Sequence, residues 1–99
     1  MLSAIVLIAS GLSVTVDSLT IDRRQVAKAI VRVANAGSEA YRSVYVDCAF
    51  MDGTGKAVQT GGALISNLAP GETAFGSADV DASGRDIDSA ACRIGLTQP

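Results

Sequence analysis

The sequence has no histidine and no tryptophan, and only four of its 99 residues are aromatic. Without an imidazole, proton transfer near neutral pH would need a carboxylate or a lysine with a strongly shifted pKa, and a Ser-His-Asp triad cannot form. No Gly-x-Ser-x-Gly nucleophile elbow occurs either. The composition therefore predicts that the protein is not an enzyme, with a small hydrolase left as a second alternative.

Charge of neither sign dominates, because ten acidic residues face eight basic ones and the net charge is -2. A chain of this charge is not a strongly basic nucleic-acid binder, so no nucleic-acid partner is predicted. Apolar residues make up 48% of the chain, which predicts a folded domain. Ala and Val dominate among them, so the predicted core is thin and a covalent cross-link would be useful.

Cysteine is scarce, with Cys48 and Cys92 as its two occurrences. Two cysteines without a histidine are too few for a structural zinc site, and there is no Cys-x-x-Cys redox spacing. A catalytic cysteine would lack its imidazole partner. A disulfide and two buried thiols remain, and export to an oxidising compartment would favour the disulfide. No cofactor and no metal are predicted from these residues.

Residues 1–11, MLSAIVLIASG, stand apart from the rest of the chain. Leu2 to Ala9 are apolar except for Ser3, and Ala9-Ser10-Gly11 has the small-x-small form of a signal-peptidase site. No Lys or Arg precedes the apolar run, and eight residues cannot span a bilayer. We interpret the segment as a signal peptide, with its basic start missing, or else as a first strand. The first interpretation predicts a periplasmic or secreted protein whose mature form, residues 12–99, is one domain that does not span the membrane.

Alternation of apolar and polar residues with a period of two recurs between clusters of Gly, Asn, Asp and Pro, which predicts an antiparallel sandwich or barrel. The third and last strands alternate clearly, with Cys48 and Cys92 both facing inward. Gly61-Gly62 predicts a bulge or a close backbone approach. The predicted strands are 12–18, 25–34, 43–51, 57–66, 73–80 and 89–96. The inward residues are Val44, Val46, Cys48 and Phe50 in the third strand and Ala90, Cys92, Ile94 and Leu96 in the last.

Three motifs in order resemble the FxLYD-type family and related small bacterial immunoglobulin-like domains. They are Val31-x-Val33-x-Asn35, then Phe50-Met51-Asp52-Gly53-x-Gly55-x-x-Val58, then Leu68-x-Pro70-Gly71-Glu72-x-x-Phe75. The resemblance covers residues 26–76, and Met51 stands where the family's signature has Tyr. It implies an immunoglobulin-like β-sandwich in an exported or surface-associated protein and no catalytic residues. We therefore expect six or seven antiparallel strands in two sheets, with the third and last strands close together.

Two acidic stretches have features of ligand sites. Asp52-Gly-Thr-Gly55 lacks the Lys-Ser/Thr continuation of a phosphate loop, and a β-turn stabilised by the carboxylate explains it. Asp79, Asp81 and Ser83, followed by Gly84, resemble the first half of a calcium loop. Ala90 takes the place of the bidentate Glu, so we interpret this stretch, which continues through Asp86 and Asp88, as an acidic connection, with calcium binding as the alternative.

Three outward apolar residues, Ile30, Tyr45 and Met51, are not explained by folding and predict a partner surface. Tyr41, at the start of the third strand, is a further candidate for an exposed ring. The sequence therefore predicts a non-catalytic exported module that binds another protein or an envelope component. The alternative is a structural, self-assembling envelope protein that forms a homo-oligomer through exposed edge strands.

Overall fold

The computed structural model describes residues 11–99, which form six antiparallel strands. They are β1 (Leu12–Ile21), β2 (Val26–Asn35), β3 (Tyr41–Met51), β4 (Ala57–Leu68), β5 (Thr73–Asp81) and β6 (Ser89–Gln98). Residues 1–10, on which the interpretation as a signal peptide or a first strand depends, lie outside the described residues. Within residues 11–99, no helix is long and apolar enough to cross a membrane.

The strands form two three-stranded sheets with the orders β1-β2-β5 and β4-β3-β6. The sheets approach each other at both sides, where β4 lies near β5 and β1 lies near β6. In immunoglobulin nomenclature the orders correspond to A-B-E and C′-C-F, and no strand within residues 11–99 takes the place of G. The prediction of an antiparallel immunoglobulin-like sandwich is confirmed, with six described strands.

The core lies between the two central strands, β2 and β3, because their alternation sends every second side chain inward. Val31 and Val33 of β2 and Val46 and Phe50 of β3 are all fully buried. Phe50 is the largest fully buried side chain. Most of the other core residues are Ala and Val, so the core is as thin as the composition predicts.

One inward prediction is wrong. Leu96 was expected in the core, but it is 81% exposed. Val44 pairs with Thr97 while Val46 pairs with Ile94, so β6 carries one residue more than β3 over this stretch. Such a bulge shifts the alternation by one position, and Leu96 leaves the face that Ile94 occupies.

The glycine pair of β4 does not form a bulge. Gly61 and Gly62 pair regularly with Cys48 and Asp47, and the register shift against β3 lies nearer the start of β4. The close approach named as the other interpretation does occur. A Cβ atom added to Gly61 would lie 2.7 Å from Cγ1 of Val80, which is closer than real carbon contacts.

Asn35, at the end of β2, is a buried polar residue that joins three segments. Its Nδ2 donates to the Glu39 carbonyl (2.7 Å), and its Oδ1 accepts from the Gly37 N–H (3.1 Å). Its backbone N–H donates to the Glu72 carbonyl (2.9 Å), and its carbonyl accepts from the Gly71 N–H (2.7 Å). The loop after β2 and the turn before β5 are thus both fastened to one residue.

The two cysteines form a disulfide between neighbouring strands of one sheet. Cys48 and Cys92 are directly paired across β3 and β6, with their Cα atoms 4.1 Å apart. The predicted proximity of the third and last strands is confirmed. The bond lies within a sheet, unlike the bridge of antibody domains, which joins the two sheets.

Replacing Asn35 with Ala is expected to lower the free energy of unfolding by roughly 1–3 kcal/mol, because the Gly37 N–H and the Glu39 carbonyl lose their partner in a part-buried site. Chemical denaturation followed by fluorescence or circular dichroism measures the change. Ser66→Ala, an exposed change in β4, is the control and should shift it by less than about 0.5 kcal/mol. An Asn35 variant as stable as this control would contradict the role assigned to Asn35.

Reduction of the Cys48–Cys92 bond is expected to lower the free energy of unfolding by about 4 kcal/mol, because the cross-link closes a loop with a sequence separation of 44 residues. Urea unfolding with and without a phosphine reductant measures this loss. The Cys48→Ala/Cys92→Ala variant should match the reduced protein and should not respond to the reductant. Two reactive thiols in the oxidised, denatured protein would show that the bond does not form.

Candidate interaction surface

The structure divides the three residues of the predicted partner surface between the two sheets. Tyr45 and Met51 alternate with the inward residues of β3 and so belong to the outer face of sheet β4-β3-β6. They lie six residues apart on that strand, which corresponds to about 20 Å. Ile30 is on β2, where it pairs with Ser77 on the outer face of the other sheet. Ile30 therefore cannot share one contact surface with Tyr45.

A row of exposed apolar side chains crosses the outer face of sheet β4-β3-β6 at Tyr45. Leu64 of β4 is directly opposite Tyr45 and is 60% exposed. On the other side, the bulge of β6 brings Leu96 to the same level, and Tyr45 itself is 42% exposed. We call this row, together with Asp47 and Arg93 beside it, the Tyr45 face. It holds three of the five large apolar residues that are exposed among residues 11–99.

Two glycines shape the Tyr45 face. A Cβ atom on Gly62 would collide with the hydroxyl of Tyr45 and lie 2.6 Å from its Cζ, so the ring lies across the bare backbone of β4. A Cβ on Gly95 would lie 2.6 Å from Oδ2 of Asp47, so this carboxylate lies across β6 in the same way. Tyr45 therefore lies flat over β4, and Asp47 lies flat over β6.

A shallow open depression of about 800 Å³ lies beside Tyr45 on this face. Its walls include Thr60, Ala91 and Arg93, and small residues at its centre keep it concave. The Arg93 Nε lies 4.0 Å from Asp47 Oδ2, and the two side chains are 84% and 44% exposed. Such an exposed pair contributes little to stability, so both charges are available to a partner.

Sequence reasoning missed two members of the Tyr45 face. Leu64 could have been found, because it alternates with Ala63 and Ile65, which are buried. Leu96 could not, because its orientation depends on a bulge whose position is not written in the alternation. Tyr41, a candidate for an exposed ring, is in fact only 9% exposed. Its burial, together with the nearby Glu39, raises the pKa of its hydroxyl.

The Asp52 turn has the role that was predicted for it. Oδ1 of Asp52 accepts hydrogen bonds from the Thr54 N–H (2.9 Å), the Thr54 hydroxyl (2.6 Å) and the Lys56 N–H (3.1 Å). These bonds hold the pKa of Asp52 below its usual value of 3.8, with the Thr54 hydroxyl as the main cause. The carboxylate is engaged within its own turn.

The same device recurs at the two other turns of that end of the sandwich. Asp22 accepts from the Val26 N–H (3.0 Å) and the Arg24 N–H (2.9 Å), and the Val26 bond is the main cause of its lowered pKa. Asp81 accepts from the Ser83 N–H (2.9 Å), which likewise lowers its pKa. Asp81 was a candidate calcium ligand, and here it stabilises a turn.

The acidic connection does not gather into a metal site. Within residues 11–99 no group of three or more acidic or cysteine side chains is arranged to hold an ion. Asp79 of the candidate calcium loop belongs to β5, where its Oδ1 accepts from the Ser77 hydroxyl (3.0 Å). Ser83 follows β5, and its backbone N–H donates to the Asp81 carboxylate within the turn. The backbone N–H of Asp88 donates to the Met51 carbonyl (2.7 Å).

Comparison with known proteins supports the fold and goes no further. No model of a known protein family matches the sequence, and no curated protein sequence matches it. Among solved structures, the chain is similar to IrmA from Escherichia coli, with a TM-score of 0.65 and 9% identity over 89% of this chain and 84% of that one. It is also similar to a β-glucosidase from Kluyveromyces marxianus, with a TM-score of 0.57 and 14% identity. That match covers 87% of this chain but 14% of the glucosidase. Identities this low show a shared all-β fold alone.

Acid is expected to destabilise the protein through Asp22, Asp52 and Asp81. Their pKa values are lowered in the folded state, so the stability that they contribute is present above the usual value of 3.8 and is lost as the pH falls through the lowered values. The melting temperature should therefore drop between about pH 5 and about pH 2. The Asp22→Asn/Asp52→Asn/Asp81→Asn variant, which cannot titrate there, should show a flatter profile. Parallel profiles for both proteins would contradict this assignment.

Proposed function

We propose that this protein is a non-catalytic exported module whose Tyr45 face binds another protein or a component of the cell envelope. The observation that carries the proposal is the row of Leu64, Tyr45 and Leu96, three large apolar side chains side by side on an outer sheet face. Aromatic residues with one apolar and one polar end are favoured at protein interfaces. An apolar row flanked by the charges of Asp47 and Arg93 has the form of an interface core and its rim.

The positions of two glycines, Gly62 and Gly95, also support the proposal that the Tyr45 face binds a partner. Glycine weakens a strand because it costs backbone entropy and provides no side chain to pack. Gly62 and Gly95 are nevertheless placed where any side chain would displace Tyr45 or Asp47. A surface that presents Tyr45 and Asp47 to a partner would require these side chains to lie flat. That requirement would explain why glycines are kept at these positions despite their cost to strand stability.

Export is supported by the disulfide and by residues 1–11. A disulfide persists in oxidising compartments, such as the periplasm or the extracellular space. The apolar run before Ala9-Ser10-Gly11 provides a cleavable signal, after which residues 12–99 are the mature module. The FxLYD-type resemblance belongs to this proposal as well, since that family is exported or surface-associated.

The Tyr45 face is tested by comparing the native chain with the Tyr45→Lys and Leu64→Lys variants in pull-downs from envelope fractions. Each substitution places a charge within the apolar row, at its centre for Tyr45→Lys and at one end for Leu64→Lys, and is expected to abolish the capture of the same specific partner. Phe75→Lys is the matched control, because Phe75 is also 60% exposed but lies on β5, in the other sheet. Melting curves establish that all four proteins are folded.

The outcome that supports the proposal is a partner that the native chain and Phe75→Lys capture and that both Tyr45→Lys and Leu64→Lys lose. If the Tyr45 and Leu64 variants keep every specific partner, the proposed face is wrong. If Phe75→Lys alone loses the partner, the binding surface lies on the opposite sheet.

A further inference from the structure

The two sides of the sandwich, where edge strands of opposite sheets meet, differ in how well they are closed. On the β4–β5 side the strands are in close contact. A Cβ on Gly76 of β5 would lie 2.9 Å from Cδ1 of Ile65 in β4, and Nε2 of Gln59 donates to the Asp81 carbonyl (3.2 Å). Ile65 and Val80 on this side are buried, although Val58 and Ala74 are only partly buried. Each of these two edges is thus shielded by the other.

The β1–β6 side is open by comparison. None of the ten residues of β6 is fully buried, and after Leu12 the inward residues of β1 are only half-buried. Six apolar side chains line this open side and pack against the core while remaining partly exposed: Val14, Val16, Leu19, Ala90, Cys92 and Ile94. Partly exposed apolar side chains at the edge of a core would be buried if another strand or another protein bound there.

The backbone of β6 has a free hydrogen-bonding edge along this open side. The Cα distance of 4.1 Å between Cys48 and Cys92 is that of a non-hydrogen-bonded antiparallel pair. The Met51 carbonyl, in phase with Asp47 and Ala49, accepts from the Asp88 N–H, so the odd-numbered positions of β3 hydrogen-bond toward β6. Ala91 and Arg93 therefore use their backbone groups for β3. The N–H and C=O groups of Ala90, Cys92 and Ile94 point away from the sheet.

This edge lacks the usual protection. The edge strand β1 has a register shift at Asp17, and the Asp17 carboxylate forms an ion pair with Arg32 (3.2 Å). A bulge that carries a charge discourages the pairing of an edge strand with another chain. From Ser89 to Ile94, β6 has no proline, no register shift and one charge, Arg93. Proteins normally blunt a straight, unpaired edge of this kind.

We propose that β6 pairs with β6 of a second copy of this chain, in antiparallel orientation about a two-fold axis at Cys92. In this register all three free positions find partners, because Ala90 lies opposite Ile94 of the second copy and Cys92 lies opposite its own equivalent. A two-fold axis at Ala91 would pair the backbone groups of only two of these three residues, Ala90 and Cys92. Arg93 lies opposite Ala91 of the second copy, so no like charges face each other directly.

A second copy fits this edge better than an added peptide. An added peptide strand would pair with the free backbone groups of β6, but it would expose a new unpaired edge of its own. Two β6 strands pair their free backbone groups with each other, so no unpaired edge remains between the two copies. The pair also brings the two open sides together, so the half-buried Val16 and Ile94 of each copy are covered. The result is a continuous six-stranded sheet, β4-β3-β6-β6-β3-β4, on which two Tyr45 faces lie side by side.

This dimer goes beyond the proposed function, and its test is separate. Sedimentation equilibrium of the purified protein should give a mass that rises toward two chains with concentration. Hydrogen exchange should show amides of Ala90, Cys92 and Ile94 that become protected over the same concentration range, while those of Ala91 and Arg93 are protected throughout. A mass of one chain at millimolar concentration overturns the proposal. So does a dimer in which the first three amides exchange as they do in dilute solution.

Two substitutions at the exposed Ala91 test the register. Ala91→Lys puts a positive charge opposite Arg93 of the second copy and should raise the dimer Kd roughly tenfold, since symmetry makes the repulsion act twice. Ala91→Glu is the matched control and should leave the dimer intact or strengthen it. Equal weakening by both variants overturns the register about Cys92. Tyr45→Lys should leave the dimer unchanged, so failure of the Tyr45 face and failure of the dimer are distinguishable.

Discussion

The covalent link between Cys48 and Cys92 is the constraint on which sheet β4-β3-β6 depends. β6 contributes no fully buried residue, so it has little of the apolar burial that holds the other strands in place. Its position along the sheet is defined by its pairing with β3 and by the disulfide to that strand. The disulfide sits at the middle of the strand and fixes the register there, so the bulge at Gly95 and Leu96 is free to form near the strand's end. The exposed position of Leu96, and with it one third of the apolar row, follows from this arrangement.

Polar contacts stabilise both ends of the sandwich, while small apolar residues fill the middle. At one end, Asn35 joins the end of β2 to the turn that contains Gly71. At the other end, aspartates hold three turns through local hydrogen bonds. A core of Ala and Val is thin, so well-defined ends limit the number of registers that the strands can adopt.

Most of the fold could be predicted from the sequence, because period-two alternation and turn chemistry are local. The strands, the inward faces of β2 and β3 and the Asp52 turn follow from neighbouring residues alone. The surface could not be predicted as well, because it depends on which strands share a sheet. Ile30 and Tyr45 both point outward, and only the strand order shows that they do so on opposite sides. Leu96 was misplaced because one additional residue in β6 reverses every later side chain.

β6 links the two proposed interactions in one strand. Its outer face adds Leu96 to the Tyr45 face, and its backbone edge forms the proposed dimer. Because no residue of β6 is fully buried, this strand gains the most from any partner that covers it. A ligand that binds only the folded state stabilises it by RT ln(1 + [L]/Kd), about 2.7 kcal/mol at a hundredfold excess over Kd. For a small domain with a thin core, that is a large share of the total stability. If the proposed interactions form, partner binding and folding are coupled through β6, because a partner would cover apolar side chains of this strand that the isolated domain leaves partly exposed.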